Sequence, residues 1–288
     1  AAGRGRPGRP PSGRGRRRNG RSQALRFGGG AAQSITFAYP ANSGFNLAEF
    51  ADPAGVTAAS DFSVTSTATV VSGTVTGTGH GATLAGTLQD AGGNGWRMDT
   101  TTFTGASGTL PDSIHGVIHF QAPVTLAKAF RVGGALFLDG SNGVLTPNGF
   151  PLTVTGALHL AGSGQLKMLA TTDSVDVGGM SVATGTSGTG LDTTGVLVMR
   201  GGFHQTGGSV TGFAASGSHL TRLVTASVDS VSFYNPSFTG SHFSNIEVTA
   251  GTATIILGSD VEAVGTIRKL SGPAPTLRGI SSLLRANG

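Results

Sequence analysis

The sequence predicts an all-β protein: a parallel β-helix (solenoid) with coils of about 22 residues, preceded by a disordered tail rich in Arg, Gly and Pro. Three observations lead to this prediction. Few residues are of the types that cover helices, apolar residues alternate with Thr in short stretches, and similar short segments recur at a nearly constant spacing. Parallel coils satisfy all three at once.

The composition argues against helices. Only 11% of the 288 residues are charged, whereas ordinary soluble domains have roughly 25%. Lys and Glu, the usual solvent-facing residues of helices, occupy three positions each. The 49 Gly and 36 Thr residues instead favour strands punctuated by turns. Helical bundles and α/β folds are therefore not expected.

Several classes of site lack the residues that they require. The chain has no Cys, which excludes a disulfide scaffold, a zinc ribbon and a Cys nucleophile. No run of 18 apolar residues occurs, so no transmembrane helix is predicted. We expect no catalytic residues, no cofactor and no metal ion.

The charge divides the chain into unlike parts. Residues 1–30 contain nine Arg and no acidic residue, so the remainder carries 19 − 9 = 10 basic residues against 14 acidic ones. We predict a disordered basic tail over residues 1–30, a Thr/Ser/Gly-rich β region over 31–109 and solenoid repeats over 110–288. Because the chain begins without Met and ends in mid-pattern, we expect a fragment of a longer protein.

The clearest alternation in the leading region lies in residues 62–78, FSVTSTATVVSGTVTGT. One predicted face carries Phe62, Val64, Ala68 and Val70, with Ser66 as the exception, and the other face carries Thr65, Thr67 and Thr69. A period of two predicts strands, either as leading coils or as hairpins.

From about residue 110 a repeat appears. The segments are IHGVIHF (114–120), VGGALFL (132–138), VTGALHL (154–160), VGGMSV (177–182) and MRGGFH (199–204). The marker glycines, 18, 22, 23 and 22 residues apart, are Gly116, Gly134, Gly156, Gly179 and Gly201. A second recurring segment gives a similar period, because Gly143-Val-Leu145 recurs 21 residues later as Gly164-Gln-Leu166.

This period has few structural solutions. The leucine-rich repeat pattern is missing, helical repeats need helix formers, and propeller blades are about twice as long. In a parallel β-helix each strand lies above that of the previous turn. Two inward ladders are predicted: Ile114/Val132/Val154/Val177/Met199 and Ile118/Leu136/Leu158. The marker glycines allow a bend or a close approach of backbones between them.

After Gly212 the pattern loosens, although short strands continue to about residue 267. Residues 271–288, SGPAPTLRGISSLLRANG, are interpreted as the entrance to a further coil. A short terminal helix is the competing interpretation.

Histidines and aspartates are the candidates for chemistry. His119, His159 and His204 fall at equivalent outward positions, with Phe137 and Val182 in the intervening turns. His119 and His159 would lie two rungs apart, roughly 9–10 Å, too far to share a zinc ion. No carboxylate column flanks them, so exposed positions on a β face explain them best.

The densest acidic group is Asp173, Asp176 and Asp192, with Lys167 and Arg200 as the nearest cations. Acidic and basic side chains on one face serve polysaccharide lyases and hydrolases. We expect Asp173 and Asp192 to form turns instead. Convergence of Asp176, Lys167 and Arg200 in a groove would favour an enzyme.

The tail segment Arg-Gly-Arg-Pro (4–7) resembles the core of an AT-hook, which enters the minor groove of A·T-rich DNA. The arginines that would contact nucleic acid are Arg4, Arg6, Arg9, Arg14, Arg16, Arg17 and Arg18. Such stretches also arise when a high-GC coding sequence is translated upstream of its start or out of frame. We favour that interpretation or a passive tail, with polyanion contact and DNA binding as alternatives.

The region from about 110 to 270 resembles the repetitive β-solenoid surface proteins of high-GC bacteria, including adhesins and autotransporter passengers. The resemblance is carried by LTVTGALHL (152–160), VLVMRGGFHQ (196–205) and FSNIEV (243–248). It implies export and surface display, and it brings no catalytic residues. The Arg-rich start departs from the pattern, where a secretion signal would be expected upstream.

We therefore expect a secreted or cell-surface bacterial solenoid without enzymatic activity. It would be structural or adhesive, presenting a repetitive surface for weak multivalent contacts with glycans or other surface polymers. End-to-end self-association is expected from exposed terminal rungs. The alternatives are a β-helix polysaccharide lyase or hydrolase, and a protein that binds DNA through its tail.

Overall fold

The computed structural model is an all-β parallel solenoid of about 11 turns that repeat about every 22 residues, as predicted. It describes residues 24–92, 95–105, 110–224, 229–249, 254–270, 276–279 and 282–287. The only helix in these ranges is a 3₁₀ turn, Pro40–Asn42. Nothing helical in the described part of the chain is long and apolar enough to span a membrane.

The strands of the leading coils are β1 Leu25–Phe27, β2 Gln33–Ile35, β3 Gly44–Ala51, β4 Val56–Ala58, β5 Phe62–Ser72, β6 Val75–Leu84, β7 Thr87–Asp90 and β8 Trp96–Phe103. Those of the middle coils are β9 Ser113–Ile114, β10 Val117–Phe120, β11 Val124–Thr125, β12 Phe130–Val132, β13 Leu136–Leu138, β14 Val144–Thr146, β15 Pro151–Gly162, β16 Gln165–Leu166 and β17 Ser174–Thr184. The remainder are β18 Val196–Met199, β19 Phe203–Gln205, β20 Leu220–Leu223, β21 Asp229–Ser232, β22 Asn245–Val248, β23 Thr254–Leu257, β24 Val261–Ala263, β25 Ile267–Lys269, β26 Thr276–Gly279 and β27 Leu284–Ala286.

Each complete coil contributes strand segments to three faces. In one middle coil β12 lies on face 1, β13 on face 2 and β14 on face 3. Faces 1 and 2 join through long bent strands such as β15, which pairs with β12 by its first half and with β13 by its second. Because β15 turns the corner without a break, faces 1 and 2 belong to one sheet.

The leading region is also built of coils. β3 pairs with β5 and β6 pairs with β8, both in parallel. Hairpins would need antiparallel neighbours, and every strand pairing in the described ranges is parallel. The predicted alternation in β5 is present: Phe62, Val64, Ala68 and Val70 are buried. Ser66, the exception, is exposed where the strand passes from face 2 to face 3.

The predicted inward ladders are confirmed. Val132 pairs with Ile114 and Val154, and Val177 pairs with Val154 and Met199. The second ladder runs from Ile118 through Leu136 to Leu158. All these side chains are buried, and they belong to one apolar cluster that extends from Ile35 to Ala263. Burial of this continuous core favours the stacking of coils over separate hairpins.

One of the predicted ends needs a change. Residues 1–23 lie outside the described ranges, but β1 pairs with β3 and the Phe27 ring stacks on Phe50 at 5.2 Å. The boundary predicted at residue 30 is therefore too late. At the other end β26 and β27 are strands rather than a helix, in agreement with a further coil. Phe27 explains the earlier start of the solenoid, because its ring extends the apolar interior.

Candidate functional site

A column of glycines follows the corner between faces 1 and 2. A Cβ atom at Gly134 would lie 2.3 Å from the Gly116 oxygen, and one at Gly156 would lie 2.9 Å from the Gly134 oxygen. Gly201 in turn lies against the oxygen of Gly178, not of Gly179. The column is thus Gly116, Gly134, Gly156, Gly178 and Gly201, which corrects Gly179 in the prediction. The shift follows from an irregular register between Val154 and Ala157.

Because no side chains separate them, these backbones stack closely at the corner. We call the trough outside the glycine column the corner groove. It contains a cavity of about 440 Å³ lined by Ser113, Ile114, His115, Arg131, Gly133 and Thr155. A second cavity of about 470 Å³ lies at the same corner of the leading coils, beside Asp61, His80, Asp99 and Thr100. Both are in the size range of ligand pockets.

The cavity in the leading coils is acidic. The Gly81 N–H donates to Asp61 at 2.8 Å, and the Gly79 N–H donates to Asp99 at 2.5 Å. His80 Nδ1 lies 3.5 Å from the same Asp61 oxygen. Both carboxylates therefore bind the backbone of Gly79-His-Gly81, a bulge in β6. These hydrogen bonds fix the shape of this part of the corner.

The neighbouring cavity is basic. Arg131 pairs in register with Ser113 on one side and Thr153 on the other, and no carboxylate lies within ion-pair distance of it in the described part of the chain. His115 packs against Gly133, where a Cβ would lie 3.5 Å from the imidazole Nδ1. Arg131 and His115 are both exposed. Among the residues that the structure describes, neither side chain forms an ion pair, so both are accessible to a ligand.

Further along the same corner Asp176 and Arg200 form a two-point ion pair. Arg200 Nε donates to Asp176 Oδ1 at 2.7 Å, and its terminal nitrogen donates to Oδ2 at 2.6 Å. The hydrogen bonds and the charge of Asp176 raise the pKa of the Arg200 guanidinium. The predicted convergence is thus found for Asp176 and Arg200. Lys167 follows β16 on face 3 and does not join them.

The other predicted aspartates are buried. Asp173 accepts backbone N–H groups from Gly149, Leu169 and Ala170 at 2.6–2.9 Å, which is the expected turn-forming role. Asp192 lies at a parallel bridge to Met168, and burial raises its pKa to about 7. Neither carboxylate faces the corner groove.

The predicted outward histidines form part of an aromatic ladder on face 2. The rings of His119 and Phe137 stack at 4.6 Å, and those of Phe137 and His159 stack at 4.3 Å, each pair within 13° of parallel. Burial, and then the charge of His119, lower the pKa of His159. Because the rings cover one another's faces, the ladder presents ring edges to solvent.

One detail of the histidine prediction is wrong. His159 and His204 both pair with Ser181, so Ser181 rather than Val182 occupies the intervening turn. A single carboxylate, not a column, accompanies the ladder, since His119 Nδ1 lies 2.6 Å from Asp139 Oδ2. His204 stands apart from the stacked rings, with one ring nitrogen 3.2 Å from the Ser230 hydroxyl and the other 3.2 Å from that of Ser232.

Sequence reasoning missed the groove residues His80, Asp99, His115 and Arg131. They are isolated in the sequence and meet only because successive coils stack. The available signal was the glycine column, since His115 directly precedes Gly116 and Arg131 lies three residues before Gly134. The tail arginines Arg4, Arg6, Arg9, Arg14, Arg16, Arg17 and Arg18 lie outside the described residues. In the described ranges no three His, Asp or Glu residues are grouped so as to hold a metal ion.

The fold and the groove define the class: a repeat protein built as a parallel β-solenoid, with an open groove along one corner. Comparison with protein-family models, curated proteins and solved structures finds no match to this chain.

Proposed function

We propose that this protein is a non-enzymatic structural or adhesive solenoid that binds extended polymers such as glycans along the corner groove. The single observation that carries the proposal is the glycine column, which keeps side chains out of the same corner in five successive coils. A repeated groove suits a repeated ligand, because each coil adds a similar contact.

The binding would be weak at each coil and strong in sum. Neighbouring rungs are about 4.8 Å apart, so a linear polymer would meet polar groups from several coils at once. Once one unit is bound, the next binds as part of the same molecule, and the affinity rises with the number of units engaged.

We propose a secreted or cell-surface location in a bacterium. The support is the resemblance of residues 152–160, 196–205 and 243–248 to solenoid surface proteins. A rod that presents one groove along its length is suited to attachment between a surface and a polymer.

A polysaccharide lyase or hydrolase is the alternative. The ion pair of Asp176 with Arg200 and the separate position of Lys167 speak against the predicted set of residues. The two carboxylates near His80 favour the alternative, although both bind backbone N–H groups. Release of reducing ends from a bound polymer, lost on Asp61→Asn or Asp99→Asn substitution, would support an enzyme.

DNA binding through residues 1–30 is the other alternative. It predicts an affinity for duplex DNA that falls steeply with salt and disappears when these residues are deleted. Equal DNA binding by the chain without these residues would rule out this alternative.

The proposal is tested by affinity against oligosaccharides of increasing length. We expect affinity to grow with length and to fall when Thr155, which lines the groove, is replaced by Trp. Thr125→Trp is the matched control, because Thr125 is an exposed Thr on face 3. Equal affinity for a single sugar and a long oligomer, or equal loss in both variants, would contradict the proposal.

A further inference from the structure

Arg131 differs from four other arginines of the middle and later coils. Arg200, Arg222, Arg268 and Arg285 each contact an Asp or Glu side chain at 2.5–3.3 Å. The residues in register with Arg131 are Ser113 and Thr153, which carry no charge. Its guanidinium is therefore an uncompensated cation in the described part of the solenoid, and it lines the 440 Å³ cavity.

The nearest acidic groups are already occupied. Asp112, which precedes Ser113, forms an ion pair with Lys128. Asp176 lies two coils after Arg131 in the same register. Both of its carboxylate oxygens accept hydrogen bonds from Arg200. Asp99, two coils earlier at the corner, accepts the Gly79 N–H. None of these carboxylates contacts Arg131.

Two further lining side chains, His115 and Thr155, can form hydrogen bonds. The His115 imidazole lies beside Gly133, and the Thr155 hydroxyl is exposed on the next coil. The missing side chain at Gly133 leaves room between them. An Arg fork beside imidazole and hydroxyl groups is suited to a planar or tetrahedral oxyanion, since a guanidinium binds two oxygens of such a group at once.

We propose that the cavity around Arg131 and His115 is a subsite for an anionic group of the bound polymer, a carboxylate or a sulfate ester. This inference rests on the proposed function and adds the chemical class of the ligand. Arg131 would bind two oxygens of the anion, while His115 and Thr155 would fix its position along the groove. Acidic polysaccharides would then be preferred to neutral ones.

The experiment compares three oligosaccharides of equal length: an oligouronate, a sulfated oligosaccharide and a neutral glucan. Titration of the full chain in 0.15 M salt is expected to give the tightest binding for one of the acidic ligands. The two acidic arms show whether a carboxylate or a sulfate is recognised. Arg131→Gln should weaken the preferred acidic ligand about tenfold, because a hydrogen bond to a charged group is lost, and should weaken the neutral glucan by a smaller factor.

Arg278→Gln is the matched control. Arg278 is exposed on β26, far along the solenoid, and its replacement removes the same charge. All chains carry the same basic residues 1–23, so a difference between the two variants reports the groove. His115 provides a second readout: its imidazole NMR signals, assigned with His115→Gln, should shift when the acidic ligand binds.

Equal affinity for acidic and neutral oligomers, or equal effects of Arg131→Gln and Arg278→Gln, would overturn the anionic subsite. The proposed function would still stand if neutral oligomers bound and Thr155→Trp blocked them. Failure of all three oligosaccharides to bind would remove both proposals.

Discussion

At the scale of single residues, the glycine column is the feature on which the groove depends. Gly134→Ala would place a Cβ 2.3 Å from a backbone oxygen of the previous coil. We expect it to lower the free energy of unfolding by about 1–3 kcal/mol or more, because the coils must move apart.

Gly185→Ala is the control for this substitution. Its Cβ would meet the nearest atom at 3.5 Å, an ordinary contact. Its effect should be neutral or slightly stabilising, because Ala has less conformational freedom than Gly in the unfolded chain. Denaturant unfolding of both variants measures the difference, and equal stabilities would show that the coils are not stacked this closely.

Two buried titratable side chains make opposite contributions to stability as pH changes. Burial raises the pKa of Asp192 to about 7, so the folded state holds an extra proton between about pH 4 and 7, and stability falls as pH rises. Burial lowers the pKa of His219 to about 4, so the unfolded state holds the extra proton between about pH 4 and 6.5, and stability rises with pH. The two slopes oppose one another.

Single substitutions should reveal each slope. Asp192→Asn leaves the His219 contribution, so stability should rise from pH 4.5 to 6.5 relative to the unchanged chain. His219→Leu should make stability fall over the same range. Each relative slope should reach up to about 1.4 kcal/mol per pH unit. Denaturant midpoints measured across this range test the assignment, and variant curves parallel to that of the unchanged chain would contradict it.

At the scale of strands, face 1 carries a charged column in register. Arg222 on β20 pairs with Glu247 on β22, which pairs with Arg268 on β25. The Glu247 side chain is fully buried, whereas those of Arg222 and Arg268 are 35% and 61% exposed. Arginines can therefore return to water when the pairing is lost, but the carboxylate cannot.

This asymmetry predicts unequal losses of stability. Replacing both Arg222 and Arg268 with Ala should cost about 3–5 kcal/mol, because a buried charge is left without compensation. Glu247→Gln should cost about 1 kcal/mol or less, because the freed arginines are hydrated. Urea unfolding of the two variants provides the measurement. A larger loss from Glu247→Gln than from the double variant would show that the buried carboxylate is not the costly partner.

The strands also show what the sequence could and could not predict. The inward ladders through Val132 and Leu136 were predicted because apolar alternation and the 22-residue spacing agree. The errors at Gly179 and Val182 arise at the corner between Val154 and Ala157, where the register shifts. Spacing alone cannot locate an extra residue in a corner. Arg131 was missed because its exposure and free charge depend on neighbours one coil away.

At the scale of the whole molecule, the terminal coils are expected to mediate self-association. β26 pairs with β23 along one edge, and Leu277 and Leu283 near this end are 45% and 53% exposed. Unpaired strand edges bind other strands. Light scattering should therefore show a mass that increases with concentration, and Leu277→Lys should reduce the increase. A monomer at all concentrations would contradict end-to-end association.

The central claim is that outward side chains of successive coils form straight columns, since groove, ladder and subsite all depend on it. One column runs by consecutive pairings through Ser63, Thr83, Thr102, His119, Phe137, His159, Ser181 and His204. The chain has no Cys, so pairs of introduced cysteines can carry spin labels without background.

The most direct measurement is the distance by pulsed electron resonance between a label at His204 and a second at Ser63, Thr83 or Thr102. These positions are seven, six and five coils from His204 along the column. The stacked solenoid predicts narrow distributions that shorten by about 4.8 Å per coil, from about 34 Å to about 24 Å. Broad distributions, or distances that do not shorten step by step, would contradict the solenoid and the groove built on it.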